Sequence, residues 1–291
     1  MSIFNEFFKK EKPVFTGITR GMGGFGFGGG AGDSGPSGPV LVASGGTKST
    51  PGDGYTYHVF TNNQSFSVTT GGEDIEIMLV GGGGGGEGGG DSAAGGGGAG
   101  GLVYRHSVPV NSGDSFPIVI GGGGPGASSG GNTTGFSLTA LGGGKGCGRS
   151  TNATPGGCGG GGSAYSEGPR AGAAGDQPGA NPGVPNLTQY GGGGWDTNDP
   201  SSDPNFTYNT AGGSGNANNN TGQNATFPNN STILSGSPIG SNNIARGGFY
   251  SPPGSPNPWG PTDYGSGGRG TPGGNQGGKQ GVVVVRYGKA P

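Results

Sequence analysis

Alternating apolar and polar positions predict β-strands along much of the chain. Six segments carry this pattern: residues 55–60, 65–69, 74–80, 102–110, 115–120 and 136–141. The pairs Asn62-Asn63 and Gly71-Gly72 lie between the first three of them and are turn signals. Tyr55, Tyr57 and Val59 would share one face of their strand.

A compact apolar strand is also predicted at residues 282–287, close to the end of the sequence. Four consecutive valines there need a buried position, which we expect in a sheet that begins near residues 55–80. This pairing would close one domain over residues 39–291, and a disordered chain does not carry such a segment. The fold class that follows is all-β, and we expect a β-sandwich.

Glycine runs separate these strands, and the longest covers residues 81–101. Further runs lie at 121–126, 142–148, 156–162, 191–194, 212–215 and 265–278. Each ordered glycine costs roughly 0.5–1 kcal/mol more than alanine, so the 81 glycines need compensation. Extended helices with three residues per turn can hydrogen-bond to one another when they carry no side chains. We therefore predict an array of packed polyglycine II helices inserted in the sandwich.

The N-terminal residues 1–38 have a different pattern. Residues 2–12 predict a short helix with one apolar face, which Pro13 ends, and residues 14–38 predict an extended tether. A helix this short is marginal alone, so we expect it to dock onto another protein, although docking on its own domain is the alternative. The candidate docking residues are Ile3, Phe4, Phe7, Phe8, Phe15, Ile18, Phe25 and Phe27.

Residues 176–263 predict a loop-rich insertion, with Asn, Pro, Asp, Ser and Thr between aromatic residues. Long connections on a rigid scaffold commonly carry function. Two interpretations stay open: the aromatic residues bind carbohydrate, or they fill gaps where glycine helices meet. The candidate receptor-binding residues are Tyr190, Trp195, Phe206, Tyr208, Phe249, Tyr250, Trp259 and Tyr264.

Composition narrows the function further. A net charge of −2 gives no basic surface for nucleic acid, and no segment is apolar for long enough to span a membrane. The first residues lack the pattern of a signal peptide, so we expect synthesis in a cytoplasm. Cys147 and Cys158 are then expected as free thiols, with late oxidation as the alternative. We find no catalytic group, metal site or cofactor site, and the two histidines are expected in the sheet or facing solvent.

The ordered combination of these segments resembles the glycine-rich domain of bacteriophage tail-fibre and virion surface proteins. The resemblance is carried by Tyr55-Thr-Tyr-His-Val-Phe60, by Ile77-Met-Leu-Val followed by glycines, and by Gly281-Val-Val-Val-Val-Arg-Tyr287. It covers roughly residues 40–287 and implies a β-sandwich with layered polyglycine helices. Some relatives of this kind are adhesins that bind a host through variable loops. The Asn/Pro-rich insertion departs from the pattern, so no binding residue transfers.

We therefore expect a phage virion surface protein, made in the host cytoplasm, that acts as a tail-fibre or fibre-tip adhesin. Its expected partners are other virion structural proteins, through the N-terminal segment, and a host surface glycan or outer-membrane protein. A non-adhesive decoration or neck protein is the alternative, and the irregular insertion argues against an ice-binding bundle. A homo-oligomer is compatible with the sequence, which contains neither a coiled-coil nor a collagen repeat to specify one.

Overall fold

The structure is a computed structural model that describes residues 40–88, 94–165, 168–177, 185–194, 233, 237, 239, 244–248, 263–271 and 276–288. Within these ranges the regular structure is almost entirely antiparallel β-sheet. No helix in the described part of the chain is long and apolar enough to cross a membrane. The all-β class predicted from the sequence is confirmed.

Thirteen strands are present among the described residues. In chain order they are β1 (Val42–Ser44), β2 (Thr47–Ser49), β3 (Thr56–Phe60), β4 (Gln64–Thr70), β5 (Gly72–Val80), β6 (Leu102–Asn111), β7 (Ser115–Ile118), β8 (Thr133–Gly135), β9 (Leu138–Ala140), β10 (Ser163–Tyr165), β11 (Gly168–Arg170), β12 (Leu187–Tyr190) and β13 (Val282–Tyr287).

The largest sheet has six strands in the order β12-β6-β5-β13-β3-β2. A three-stranded sheet has the order β1-β4-β7, and β8-β9 and β10-β11 form two separate pairs. The last strand, β13, lies between β5 and β3, so that Val284 is opposite Met78 on one side and Val59 on the other. The prediction that residues 282–287 return to the sheet begun near residues 55–80 is confirmed.

Both faces of the six-stranded sheet are buried. One face and the three-stranded sheet contribute to a single apolar cluster, which includes Ile75, Ile77, Val283, Phe66 and Ile118. Sheets of a β-sandwich share a core in this way. The opposite face forms a second cluster with members from outside the sheet: Tyr57, Val59, Met78, Val80, Leu102, Tyr104, Val282 and Val284 meet Ala99, Cys158, Ile233, Ile244 and Ala245. All six residues of β13 are buried as a result.

Three details differ from the sequence prediction. Residues 136–141 were expected as one strand, but Phe136 and Ser137 form the turn between β8 and β9, with φ angles of 53° and 58°. The insertion 176–263 was expected as irregular loops, but β12 lies within it and pairs with β6. The short strands β1, β2, β8, β10 and β11 were not predicted. Strand β2 reads Thr-Lys-Ser and has no apolar alternation.

The N-terminal helix and tether predicted for residues 1–38 lie outside the described residues, as do all eight candidate docking residues. The division at residue 38 and the docking role stay predictions.

Candidate functional site

The glycine runs form a hydrogen-bonded array, and its centre is the buried run of residues 81–86. The backbone N–H groups of this central run donate with a period of three residues. Gly81 and Gly84 donate to Gly101 and Gly98, at 2.9 and 2.8 Å. The next positions, 82 and 85, donate to residues 131 and 128, and positions 83 and 86 donate to residues 279 and 276. Residues three positions apart in the central run therefore donate to the same neighbouring segment, and three different segments receive these bonds.

The carbonyl oxygens of the central run bind three further segments. Positions 82 and 85 accept from residues 143 and 146, positions 83 and 86 accept from residues 124 and 127, and position 84 accepts from residue 268. Partner numbers fall along the three segments that receive bonds, so these segments run antiparallel to the central run. Partner numbers rise along the segments 124–127 and 143–146, so these two segments run parallel to the central run. The isolated bridge between Gly88 and Thr271 is also of the parallel type. Six neighbours thus surround one run.

Glycine is needed in the central run because there is no room for a side chain. A Cβ atom at Gly84 would lie 2.6 Å from the carbonyl carbon of Gly144 and 2.7 Å from the carbonyl oxygen of Gly143. All six residues of the run have such a close backbone neighbour. Positive φ is not the reason, since within residues 81–86 no φ angle lies in that region. The array is therefore held by close backbone approach.

Residues 81–101 were predicted as one run, but the described part forms two. Residues 81–86 and 94–101 lie side by side in opposite directions, as the Gly81–Gly101 and Gly84–Gly98 bonds require. Ala99, in the second run, packs into the apolar cluster under the six-stranded sheet. At the other end of the central run Glu87 forms an ion pair with Lys145 at 3.6 Å and accepts a hydrogen bond from Thr151. The array is thus joined to the sheet and closed by charged and polar residues.

Two of the eight candidate receptor-binding residues are described. Tyr190 lies at the end of β12 and Tyr264 precedes Gly265, and both are half-buried against the second apolar cluster. Burial raises the pKa of Tyr190. These contacts fit the interpretation in which aromatic residues fill gaps beside the array. The other six candidates, at 195, 206, 208, 249, 250 and 259, lie outside the described residues.

A charged group missed by the sequence analysis lies on the face of the six-stranded sheet. Glu76 lies on β5, and its Oε2 accepts from the Arg286 guanidinium at 2.5 Å and from the Tyr104 hydroxyl at 2.7 Å. The Arg286 side chain is 5% exposed and lies 4.2 Å above the centre of the Tyr55 ring. Burial alone would lower the pKa of Arg286, but the bond with Glu76 outweighs it and raises the pKa. The pair connects β13 to β5.

Tyr57 extends this group toward the surface. Its hydroxyl donates to Asp53 at 2.6 Å. Burial, with the bond to Asp53, raises the pKa of Tyr57 to about 12, and the same bond lowers the pKa of Asp53. The proton therefore stays on the Tyr57 phenol at neutral pH, and the bond to Asp53 joins the start of β3 to the turn that precedes it.

His58 and the two thiols are buried. His58 Nδ1 lies 2.6 Å from the carbonyl oxygen of Gly45, to which it donates, and Nε2 lies 3.1 Å from the Tyr287 hydroxyl. Burial lowers the pKa of His58. Cys147 and Cys158 are free and buried, as the first interpretation of the sequence predicted, and burial raises the pKa of Cys158 to about 11.

A family model described as a glycine-rich domain matches residues 58–288. The matched range begins in β3 and continues past the end of β13, so it covers most of the six-stranded sheet and the central run with its neighbours. No curated protein matches the chain.

Proposed function

We propose that this chain, which belongs to the family of glycine-rich domains, is a bacteriophage virion surface protein in which the glycine array is a rigid support for recognition loops. The proposal that the array is a rigid support rests on one observation: the central run is hydrogen-bonded to six neighbouring segments with a period of three residues. A period of three without internal hydrogen bonds is the geometry of a polyglycine II helix. We infer that the array is a bundle of such helices, attached to a β-sandwich.

Rigidity follows from the way the bonds are distributed. Each bond contributes about 0.5–1.5 kcal/mol net, but breaking one inside the array leaves a buried donor and acceptor without partners, which costs more. These bonds fix the backbone of the central run in three directions. The glycines of this run have no side chains that could contact a ligand. Any recognition must therefore use the connections at the ends and sides of the array.

The assignment to a virion rests on the ordered resemblance of residues 40–287 to phage glycine-rich domains. In this proposal residues 1–38 attach the protein to the particle, and aromatic residues of the insertion 176–263 contact a host glycan or outer-membrane protein. The protein reaches the virion after synthesis in the host cytoplasm, and it acts as a fibre or fibre-tip adhesin.

A second candidate is a decoration or neck protein that stabilises the particle without binding a host. The observation that favours it is the packing of Tyr190 and Tyr264 against the second apolar cluster, where their rings support the fold. Trp195→Ala and Trp259→Ala separate the two candidates. If the variants lose host binding and keep the melting temperature, the adhesin is supported. If they keep host binding and their melting temperature falls, the structural role is supported.

Two measurements on the full chain test the proposal. Antibody labelling of intact phage particles in electron micrographs locates the protein, and purified chain added to host cells measures competition with phage adsorption. Label at a fibre tip together with competition is the expected result. Label at a neck or capsid without competition supports the second candidate. Particles that carry no label refute both virion roles.

A further inference from the structure

An open cleft lies between the three-stranded sheet and the β8–β9 hairpin. Strand β7 is at the edge of its sheet, and beyond its end Val119 exchanges two backbone bonds of 2.9 Å with Thr134 of β8. On the Ser115 side of this bridge, residues 115–117 and residues 134–139 line the cleft. The space between them has a volume of about 510 Å³. This volume is in the range of roughly 300–1,000 Å³ that is usual for small-molecule sites.

The lining of the cleft is aromatic and hydroxyl-bearing, and it contains no charged residue. Phe116 and Phe136 stack with ring centres 4.6 Å apart, and Phe116 is half-buried. Hydroxyl groups come from Ser115, Thr134, Ser137 and Thr139. Neutral sugars present apolar C–H faces and many hydroxyls, which suit an aromatic surface with a few directed polar groups.

The hairpin turn at the cleft retains an unfavourable residue. Phe136 and Ser137 have φ angles of 53° and 58°, the conformation in which two-residue hairpins prefer Asn-Gly or Gly. Burial against Phe66 and Phe116 accounts for Phe136. Ser137 is exposed and has no such packing, in a chain that contains 81 glycines. Strained positions that packing does not explain are associated with function, and Ser137 supplies a hydroxyl to the cleft.

An added peptide strand fits this cleft less well than a sugar. Alternate residues of a strand direct their backbone groups to the same side, so Pro117 points the same way as Val119, toward the hairpin. Proline has no N–H to donate to an incoming strand, which is why it protects strand edges. We infer that the cleft binds a neutral saccharide. The site is separate from the insertion 176–263, so it does not depend on the proposed virion role.

The test measures saccharide binding to the full chain and to matched variants. Neutral gluco-, galacto- and manno-oligosaccharides, together with sialylated and sulfated counterparts, are screened by saturation-transfer NMR, and affinities are measured by calorimetry. Ser137→Gly removes the hydroxyl while suiting the backbone, and Phe116→Leu removes the ring while keeping apolar volume. Ala127→Gly is the control, since Ala127 also has positive φ, at 63°, but is not part of the cleft lining.

At least one neutral oligosaccharide is expected to bind, and Ser137→Gly and Phe116→Leu should each weaken it about three- to tenfold. Ser137→Gly and Ala127→Gly should both keep or raise the melting temperature, and only the first should lose affinity. The inference is overturned if no neutral saccharide binds, if affinity is unchanged in both cleft variants, or if the acidic saccharides bind more tightly. Preferential binding of an extended peptide at β7 would also overturn it.

Discussion

Replacing Gly84 by alanine tests whether the array depends on close backbone approach. The added methyl carbon would lie 2.6 Å from the carbonyl carbon of Gly144, whereas ordinary contacts begin at 3.4 Å. The obstructing atoms are backbone, and the Gly144 carbonyl oxygen is closer still, so the segment around Gly144 must move by more than about 0.8 Å. That segment is held by bonds from Gly98 to Gly144 and from Gly144 to Cys158, at 2.8 and 2.9 Å.

The expected loss of stability follows from these bonds. Two buried hydrogen bonds stretched or broken cost about 1–3 kcal/mol each. Alanine also lowers the conformational entropy of the unfolded chain, which stabilises the folded protein by about 0.4–1 kcal/mol. The balance predicts that Gly84→Ala lowers the free energy of unfolding by about 1–5.5 kcal/mol.

Gly122 supplies a matched control from the same array. It is exposed, and a Cβ atom there would have no heavy atom within 4 Å. Gly122→Ala should therefore leave stability unchanged or raise it slightly. Urea unfolding of the full chain followed by circular dichroism gives both values, and amide hydrogen exchange at residues 97–101 reports whether the array has loosened. If the two variants differ by less than about 1 kcal/mol, the packed array is refuted.

Three further predictions concern buried polar groups. The lowered pKa of His58 means that the unfolded chain binds a proton more readily than the folded one. Its contribution to stability should therefore be complete above about pH 6.5 and should fall below that pH, by at most about 1.4 kcal/mol per pH unit, until the pH reaches the folded-state pKa. Urea unfolding between pH 5 and 8 checks this, and His58→Gln should remove that slope; an unchanged slope would contradict it. Glu76→Gln leaves the buried Arg286 without a counter-charge and should cost about 3 kcal/mol, much of which Glu76→Gln with Arg286→Met should restore in a double-mutant cycle. No recovery in the double variant would count against the pair. Burial and the pKa of about 11 predict that Cys158 reacts with iodoacetamide only after unfolding, which mass spectrometry of labelled chain can measure; rapid labelling of the native chain would exclude a buried thiol.

The strands that the sequence predicts best are those with a clear period of two. Strands β3, β5 and β6 alternate apolar and polar residues in the sequence over part of their length, although several consecutive residues of each are buried because both faces of the sheet are covered. The four consecutive valines of β13 predict a position in the interior of a sheet, where all of them are buried. Strand β12 could not be predicted, because Leu-Thr-Gln-Tyr lies in an Asn/Pro-rich context and is specified by its pairing with β6. Tertiary context determines such short strands.

The array is predictable as a principle but not in its connectivity. Glycine runs must find backbone partners, so their mutual bonding follows from composition. The composition does not predict which runs become neighbours, because glycine runs have no side chains that would distinguish one partner from another. The Glu76–Arg286 pair escaped prediction for a related reason, since 210 residues separate its members and only the return of β13 brings them together. The hairpin at Phe136 and Ser137 contradicts turn preferences, so sequence rules place it in a strand.

The period of three in the central run has a consequence for how such proteins change in length. Inserting three glycines extends a run by about 9 Å and returns each following residue to the neighbour that it already faced. Inserting one or two rotates everything beyond the insertion by a third or two thirds of a turn, so that donors meet the wrong segment. Nine nucleotides, or a multiple of nine, should therefore be the unit in which related genes gain or lose run length, while the connections between runs vary freely.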